Sequence, residues 1–245
     1  KGIQIIGDMP IYVAADSVEV WTKPELFQLD EERNPLFVAG VPADQFSATG
    51  QLWGNPLYAW EEHKKQGYAW WIHRIEESFK IYDVLRIDHF KGFSDYWQVD
   101  GKAEVAKDGS WQPGPGYDLF KAVKEQLGDL PIIAEDLGNI DDKARKLLTD
   151  CNYPGMKILQ FGFEDVSGES LDSPHYCIPH SIVYTGTHDN DVTNGWYNSL
   201  TEQQQQYIND YTHRHEDESI CQAMIRQLFA TVSNTAIATM QDVLD

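Results

Sequence analysis

A chain of 245 residues with 42% hydrophobic and 12% aromatic side chains can bury a sizeable core, which excludes disorder. A net charge of −20 excludes a nucleic-acid backbone or an anionic membrane surface as partner, because both need a concentrated basic field, and points to a neutral ligand. No apolar run approaches the roughly 20 residues of a membrane span, and the scattered Cys151, Cys177 and Cys221 cannot complete a disulfide framework, which suits a reducing, cytoplasmic compartment.

In chain order, Ile3-Gln4-Ile5-Ile6 reads as a strand that leaves through Gly7, Asp8 and Pro10. From residue 11 to about residue 60 no helical period is sustained, and Pro24, Pro35, Pro42 and Pro56 interrupt an aromatic-rich stretch. Residues 11–60 are therefore expected to form a long inserted loop region bordering a binding site. Within it, Asp44, Trp53 and Asn55 stand among glycines and prolines; flat rings beside amides suit a sugar, whose ring faces are apolar and whose rim is hydroxyls. The other reading of Trp53 and Tyr58 is that they anchor the loop to the body.

Helices then alternate with strands. Trp71, Ile75, Phe79 and Tyr82 recur at helical spacing and lead into Val84-Leu85-Arg86-Ile87, a short buried strand that ends on Asp88 and His89. Leu119, Phe120, Val123 and Leu127 predict a helix stopped by Gly128, before a strand at 131–134 that ends on Glu135 and Asp136. Asp141 can cap the next helix, which precedes a strand at 156–161. The run Ser181-Ile182-Val183-Tyr184 ends in a polar stretch holding His188, Asp189 and Asn190. Ser199 with Glu202 offers a capping box, Ile220, Met224 and Leu228 form a further stripe, and a last strand at 235–240 leaves through Gln241 and Asp242.

Six strands interleaved with helices imply an α/β fold with a parallel sheet. A doubly wound sheet would normally carry a Gly-rich phosphate turn, and neither such motif occurs. A (β/α)8 TIM barrel draws its chemistry from the ends of several strands, which accounts for Asp8, Asp88, Glu135, Asp189 and Asp242 together. A barrel needs about eight strands. Residues 1–245 are thus expected to supply six βα units, strands 3 to 8, of a longer catalytic barrel.

Carboxylates at strand ends suit cleavage of a glycosidic bond, whose oxocarbenium-like transition state needs one ionised carboxylate and one protonated acid. Arg86 lies two residues before Asp88, so on a strand both side chains face the same way and the guanidinium keeps Asp88 ionised, which favours it as nucleophile. Glu135, raised by the negative field of Asp88, would act as acid and then base. Asp189, between His188 and Asn190, would bind sugar hydroxyls and support the distorted ring. The groups His175, Cys177, His180 and His213, His215, Glu216 lack the paired spacing of a closed zinc site.

At these residues the chain resembles a known family. Arg86-Ile87-Asp88-His89-Phe90, Ile133-Ala134-Glu135-Asp136-Leu137-Gly138 and Thr187-His188-Asp189-Asn190 resemble the catalytic blocks of the amylomaltases, bacterial 4-α-glucanotransferases related to the α-amylase superfamily. Residues 2–14 and the loop at 50–58 resemble the same family. The resemblance implies transfer of α-1,4-glucan segments between maltooligosaccharides, or starch- and glycogen-derived glucan, by a retaining double displacement through a glycosyl-aspartate. It implies Asp88 as nucleophile, Glu135 as acid/base and Asp189 as transition-state stabiliser, with no metal and no cofactor. Arg86, His188 and Asn190 would contact the sugar, and Trp53, Asp44 and Asn55 would border the subsites. An α-glucan hydrolase with the same carboxylates and a non-catalytic carbohydrate-binding fragment are the alternatives. Residue identity does not separate transfer from hydrolysis, which differ only in what resolves the covalent intermediate; the aromatic loop favours transfer.

Overall fold

The computed structural model describes residues 2–43, 47–138 and 140–245. Two compact units divide the chain, Lys1–Tyr153 and Pro154–Asp245.

In order, the first unit holds β1 (Ile6–Met9), α1 (Val18–Thr22), β2 (Phe37–Val41), β3 (Gln51–Pro56), α2 (Trp60–Lys65), α3 (Ala69–Ser78) and β4 (Val84–Ile87). β5 (Asp95–Asp100), β6 (Ser110–Pro113), α4 (Tyr117–Leu127), β7 (Ile132–Ala134) and α5 (Asp142–Cys151) complete it. β1, β4 and β7 form a parallel sheet in that order, with Met9 level with Ile87 and Ile87 level with Ala134. Leu85, Ile87 and Ala134 are fully buried, as expected of short apolar strands covered on both faces. The register brings the residues that follow each strand to one edge of the sheet, and these are Pro10, Asp88 and Glu135. Gly7 is required in β1, because a Cβ there would lie 2.1 Å from the Tyr82 ring.

Beneath the sheet lies an aromatic core. Trp71 on α3 is fully buried, with Phe93 at 5.1 Å edge-on, and Phe93 in turn meets Phe120 of α4 at 5.1 Å. Replacing Trp71 by alanine is expected to cost about 3–5 kcal/mol of stability through the cavity left behind. Trp71→Phe should cost clearly less, since the indole nitrogen has no hydrogen-bond partner among the described residues to lose. Denaturant midpoints of the two variants check both statements.

The stretch at 11–60, read from sequence as loop-like, carries regular structure. β2 pairs antiparallel with β3 and with β5, and β5 with β6, giving a second sheet in the order β3-β2-β5-β6. Of the two partners of β2, β5 lies more than fifty residues downstream, with Phe37 opposite Asp100 and Gly40 opposite Trp97, so no local pattern announces that pairing. Gly40 permits the close approach of β3, because a Cβ would sit 2.4 Å from the Gln51 carbonyl oxygen.

The second unit runs β8 (Gly155–Ile158), α6 (Leu159–Gly162), β9 (Ser181–Tyr184), α7 (Thr193–Ser199), α8 (Glu202–Thr212), α9 (Ile220–Phe229), β10 (Thr235–Ile237) and α10 (Met240–Leu244). Its sheet is parallel in the order β10-β9-β8, with Met156 opposite Ile182 and Ala236 opposite Val183. Val183, Leu159, Phe163, Ile208, Met224 and Leu228 are fully buried in its core. Two expected strands end early. The segment at 156–161 turns helical at Leu159, and the one at 235–240 stops at Ile237 because Thr239 caps α10. The expected Ser199/Glu202 capping box is displaced by two residues: Ser199 closes α7 by donating to the Trp196 carbonyl, and Thr201 with Gln204 forms the box. Both pairs have the required spacing, and the extended backbone at Thr201 decides between them. Among the described residues no helix is long and apolar enough to cross a membrane.

Candidate active site

In the first unit the edge of the parallel sheet carries a charged cluster. Arg86 faces its β1 neighbour Asp8 and donates through Nη1 to both Asp8 oxygens, at 2.7 and 2.8 Å. Its Nη2 meets Asp88 Oδ1 at 2.8 Å, the pairing implied by their two-residue spacing. Burial works against the Arg86 charge, but the bond to Asp8 and the fields of Asp8, Asp88 and Glu135 outweigh it and hold its pKa above the ordinary value. One guanidinium thus grips two carboxylates, and its own side chain is only 8% exposed.

Glu135 follows β7 directly and continues the strand pairing, its amide donating to the Ile87 carbonyl at 3.0 Å. The carboxylate accepts from the His89 amide at 2.7 Å and from the Leu137 amide at 2.8 Å. Its pKa is pushed up to about 7. Burial is the largest cause and the charge of Asp88 adds to it, while the Leu137 and His89 amides and Arg86 oppose it. Partial desolvation thus outweighs the Asp88 field, the cause expected from sequence. A carboxyl group poised near neutrality can give and take a proton in one cycle.

His89 had no role assigned from sequence, and its contribution is conformational. Its φ of +49° lies in the left-handed region, an uncommon state for a residue with a side chain, and it aims the His89 amide at Glu135. Burial and then Lys91 push the imidazole down to about 4, so it is neutral at physiological pH. The Trp53 ring meets it edge-on at 4.8 Å. Trp53, Asn55 and Asp88 line a cavity of about 160 Å³ with Pro10, Ile11 and Tyr12. Asn55 is fixed there by donating to the Val13 carbonyl at 3.0 Å. Tyr12, whose ring lies 6.2 Å from that of Trp53, also lines this cavity, and an apolar-flanked tyrosine after a strand gives no sign of that in the sequence. Asp44 lies outside the described residues.

The second unit places His188, Asp189 and Asn190 on the loop between β9 and α7. His188 Nε2 stands 3.5 Å from Asp189 Oδ2, and both side chains are 68% exposed. Asn190 Oδ1 accepts from the amide and the hydroxyl of Thr187, each at 2.9 Å. His188 and Asn190 line a cavity of about 370 Å³ that also touches Gln160, Thr239 and Asp242.

The family model described as 4-alpha-glucanotransferase matches residues 1–245, the whole chain. The chain belongs to the 4-alpha-glucanotransferase family. The 4-alpha-glucanotransferase of Streptococcus pneumoniae serotype 4 is 53% identical over 244 residues, covering 99% of this chain and 48% of that protein. That of Thermus thermophilus is 45% identical over 251 residues, covering 99% of this chain and 50% of its own length. Among solved structures, the amylomaltase from Streptococcus agalactiae in complex with acarbose matches with a TM-score of 0.97 at 59% identity, over 100% of this chain and 49% of that one. The chain spans about half the length of the relatives it matches.

For this 4-alpha-glucanotransferase family member, the structure brings Arg86, Asp88, Glu135, Trp53 and Asn55 together in the first unit, and His188, Asp189 and Asn190 together in the second. The raised Glu135 pKa has a stability consequence. A proton bound more tightly in the folded state stabilises it fully below the ordinary value of 4.5, and that contribution is lost as pH rises through about 7. Relative to Glu135→Gln, the wild-type protein should therefore lose stability across this window. Urea midpoints of both proteins at several pH values measure it, and a difference independent of pH would contradict the assignment.

Proposed function

We propose that the full-length protein is a cytoplasmic 4-α-glucanotransferase, that residues 1–245 supply strands 3 to 8 of its (β/α)8 barrel, and that residues 11–60 are an insertion bordering its active site. The observation that carries the reading is Arg86 bonded at once to Asp8 and Asp88, beside a half-buried Glu135 whose pKa is pushed up to about 7. That arrangement supports two carboxyl groups with different tasks at one pH.

Asp88, held in place by the Arg86 guanidinium at 2.8 Å, attacks the anomeric carbon of an α-1,4-linked glucan. Glu135 gives its proton to the departing glycosidic oxygen, so the leaving chain departs neutral and a glycosyl-Asp88 ester remains. Glu135, now a carboxylate, takes the proton from the 4-hydroxyl of an acceptor sugar, which displaces Asp88 and restores the configuration. Asp189 stabilises the charge that develops on the sugar ring, and His188 and Asn190 bind its hydroxyls. Trp53 and Asn55 line the cavity beside Asp88, which favours a flat, hydroxyl-rimmed acceptor over bulk water.

Incubation of the full-length protein with maltotriose tests the reading. Glucose with a ladder of longer maltooligosaccharides is the expected result. Glucose and maltose alone would mean hydrolysis, and unchanged maltotriose would mean a binding protein.

A further inference from the structure

The loop that presents His188, Asp189 and Asn190 is tied at both ends to one buried side chain. Where it leaves β9, the Thr185 hydroxyl donates to Asp242 Oδ2 at 2.6 Å; where it enters α7, the Thr193 amide donates to Asp242 Oδ1 at 3.2 Å. Thr185 and Thr193 are fully buried, and Asp242 is 2% exposed. Asp242 sits on α10, just past the end of β10, and its own amide is held by the capping hydroxyl of Thr239 at 3.3 Å. The Thr239 amide in turn donates to the Thr185 hydroxyl at 3.3 Å, closing the circuit.

Among the described residues, the donors to the Asp242 carboxylate are neutral. The third is the thiol of Cys221, 3.9 Å from Oδ1; burial and then the Asp242 charge push that thiol up to about 12, so it keeps its proton. A buried carboxylate held only by neutral donors is costly unless its oxygens are bonded, and such a network fixes its members tightly when they are. Between the two pinned ends the loop is braced internally. Gln160, 2% exposed, donates to the Asp191 carbonyl at 2.9 Å, and the Asp189 amide donates to the Thr187 hydroxyl at 3.2 Å. A shift at either end would therefore carry the loop, and the exposed Asp189 with it, as a body.

We infer that Asp242 is a positioning residue, which fixes both ends of the loop between β9 and α7 and so aims the Asp189 carboxylate at the substrate, acting at one end through the Thr185 hydroxyl. The inference rests on the role proposed above for Asp189. It differs from a plain stabilising role in where the effect should fall: on turnover, and only while Asp189 is present.

The test uses the full-length enzyme, with an α-maltosyl fluoride donor so that weak variants remain measurable. Thr185→Val keeps shape and removes the hydroxyl. A misaimed carboxylate is expected to lower kcat by about tenfold or more, with KM changed by less than about twofold. Thr185→Ser should recover most of the loss. In an Asp189→Asn background, Thr185→Val should lower kcat by less than about twofold, because the group being aimed is gone. Asp242→Asn should follow the same pattern; if it fails to fold, the Thr185 series decides alone. A folded Thr185→Val enzyme with unchanged kcat, or a loss that multiplies in full with that of Asp189→Asn, overturns the inference while leaving the proposed function intact. Full turnover by Asp189→Asn itself overturns the assignment of Asp189, and this inference with it.

Discussion

Replacing Asp88 by asparagine in the full-length enzyme is expected to lower kcat on maltotriose by at least about 10⁴-fold, since the step that forms the glycosyl-enzyme loses its nucleophile. The carboxamide keeps the shape of the side chain. Arg86 keeps its two bonds to Asp8, so the charged cluster retains a pairing at 2.7 and 2.8 Å and the fold should survive. Circular dichroism and melting curves verify that the protein is folded. A folded Asp88→Asn enzyme with more than about 1% of wild-type turnover would remove Asp88 from the role of nucleophile.

Replacing Glu135 by glutamine is expected to divide donors by their leaving groups. With maltotriose the departing sugar needs a proton, and the loss should be about 10²–10⁴-fold. With α-maltosyl fluoride the departing fluoride needs little protonation, so the first step should survive and the second, which needs Glu135 as base, should stall. The covalent intermediate should then accumulate. The rate limb near pH 7 that belongs to Glu135 should vanish in this variant as well. Equal losses with the two donors would contradict an acid/base role.

How far the sequence could be read follows from the range of the forces involved. The six parallel strands announce themselves because each is a short apolar run between helical stripes, and their ends deliver Asp88 and Glu135 to one edge of the first unit's sheet. The pairing of Arg86 with Asp88 was equally legible, since it depends only on the alternation of side chains along one strand. Asp8 as a second partner was not legible, because it depends on the register between β1 and β4. The antiparallel sheet was missed for a related reason. Trp97 lies in a strand without clean alternation, and nothing near it in the chain says that Gly40 will be its partner. The ordering of causes at Glu135 and the left-handed backbone at His89 are tertiary effects too, set by what packs around the strand edge. Asp242 illustrates the limit from the other side. It read as one more carboxylate at a strand end, and only the fold reveals that it is buried beneath the Asp189 loop and bonded to Thr185 and Thr193.

The most direct measurement is peptide mass spectrometry of full-length Glu135→Gln after brief exposure to α-maltosyl fluoride. The added sugar mass should lie on the peptide that contains Asp88 and, by fragmentation, on Asp88 itself. A sugar found on Asp189 or Asp8, or no covalent adduct while fluoride is being released, would contradict Asp88 as the nucleophile of a double displacement.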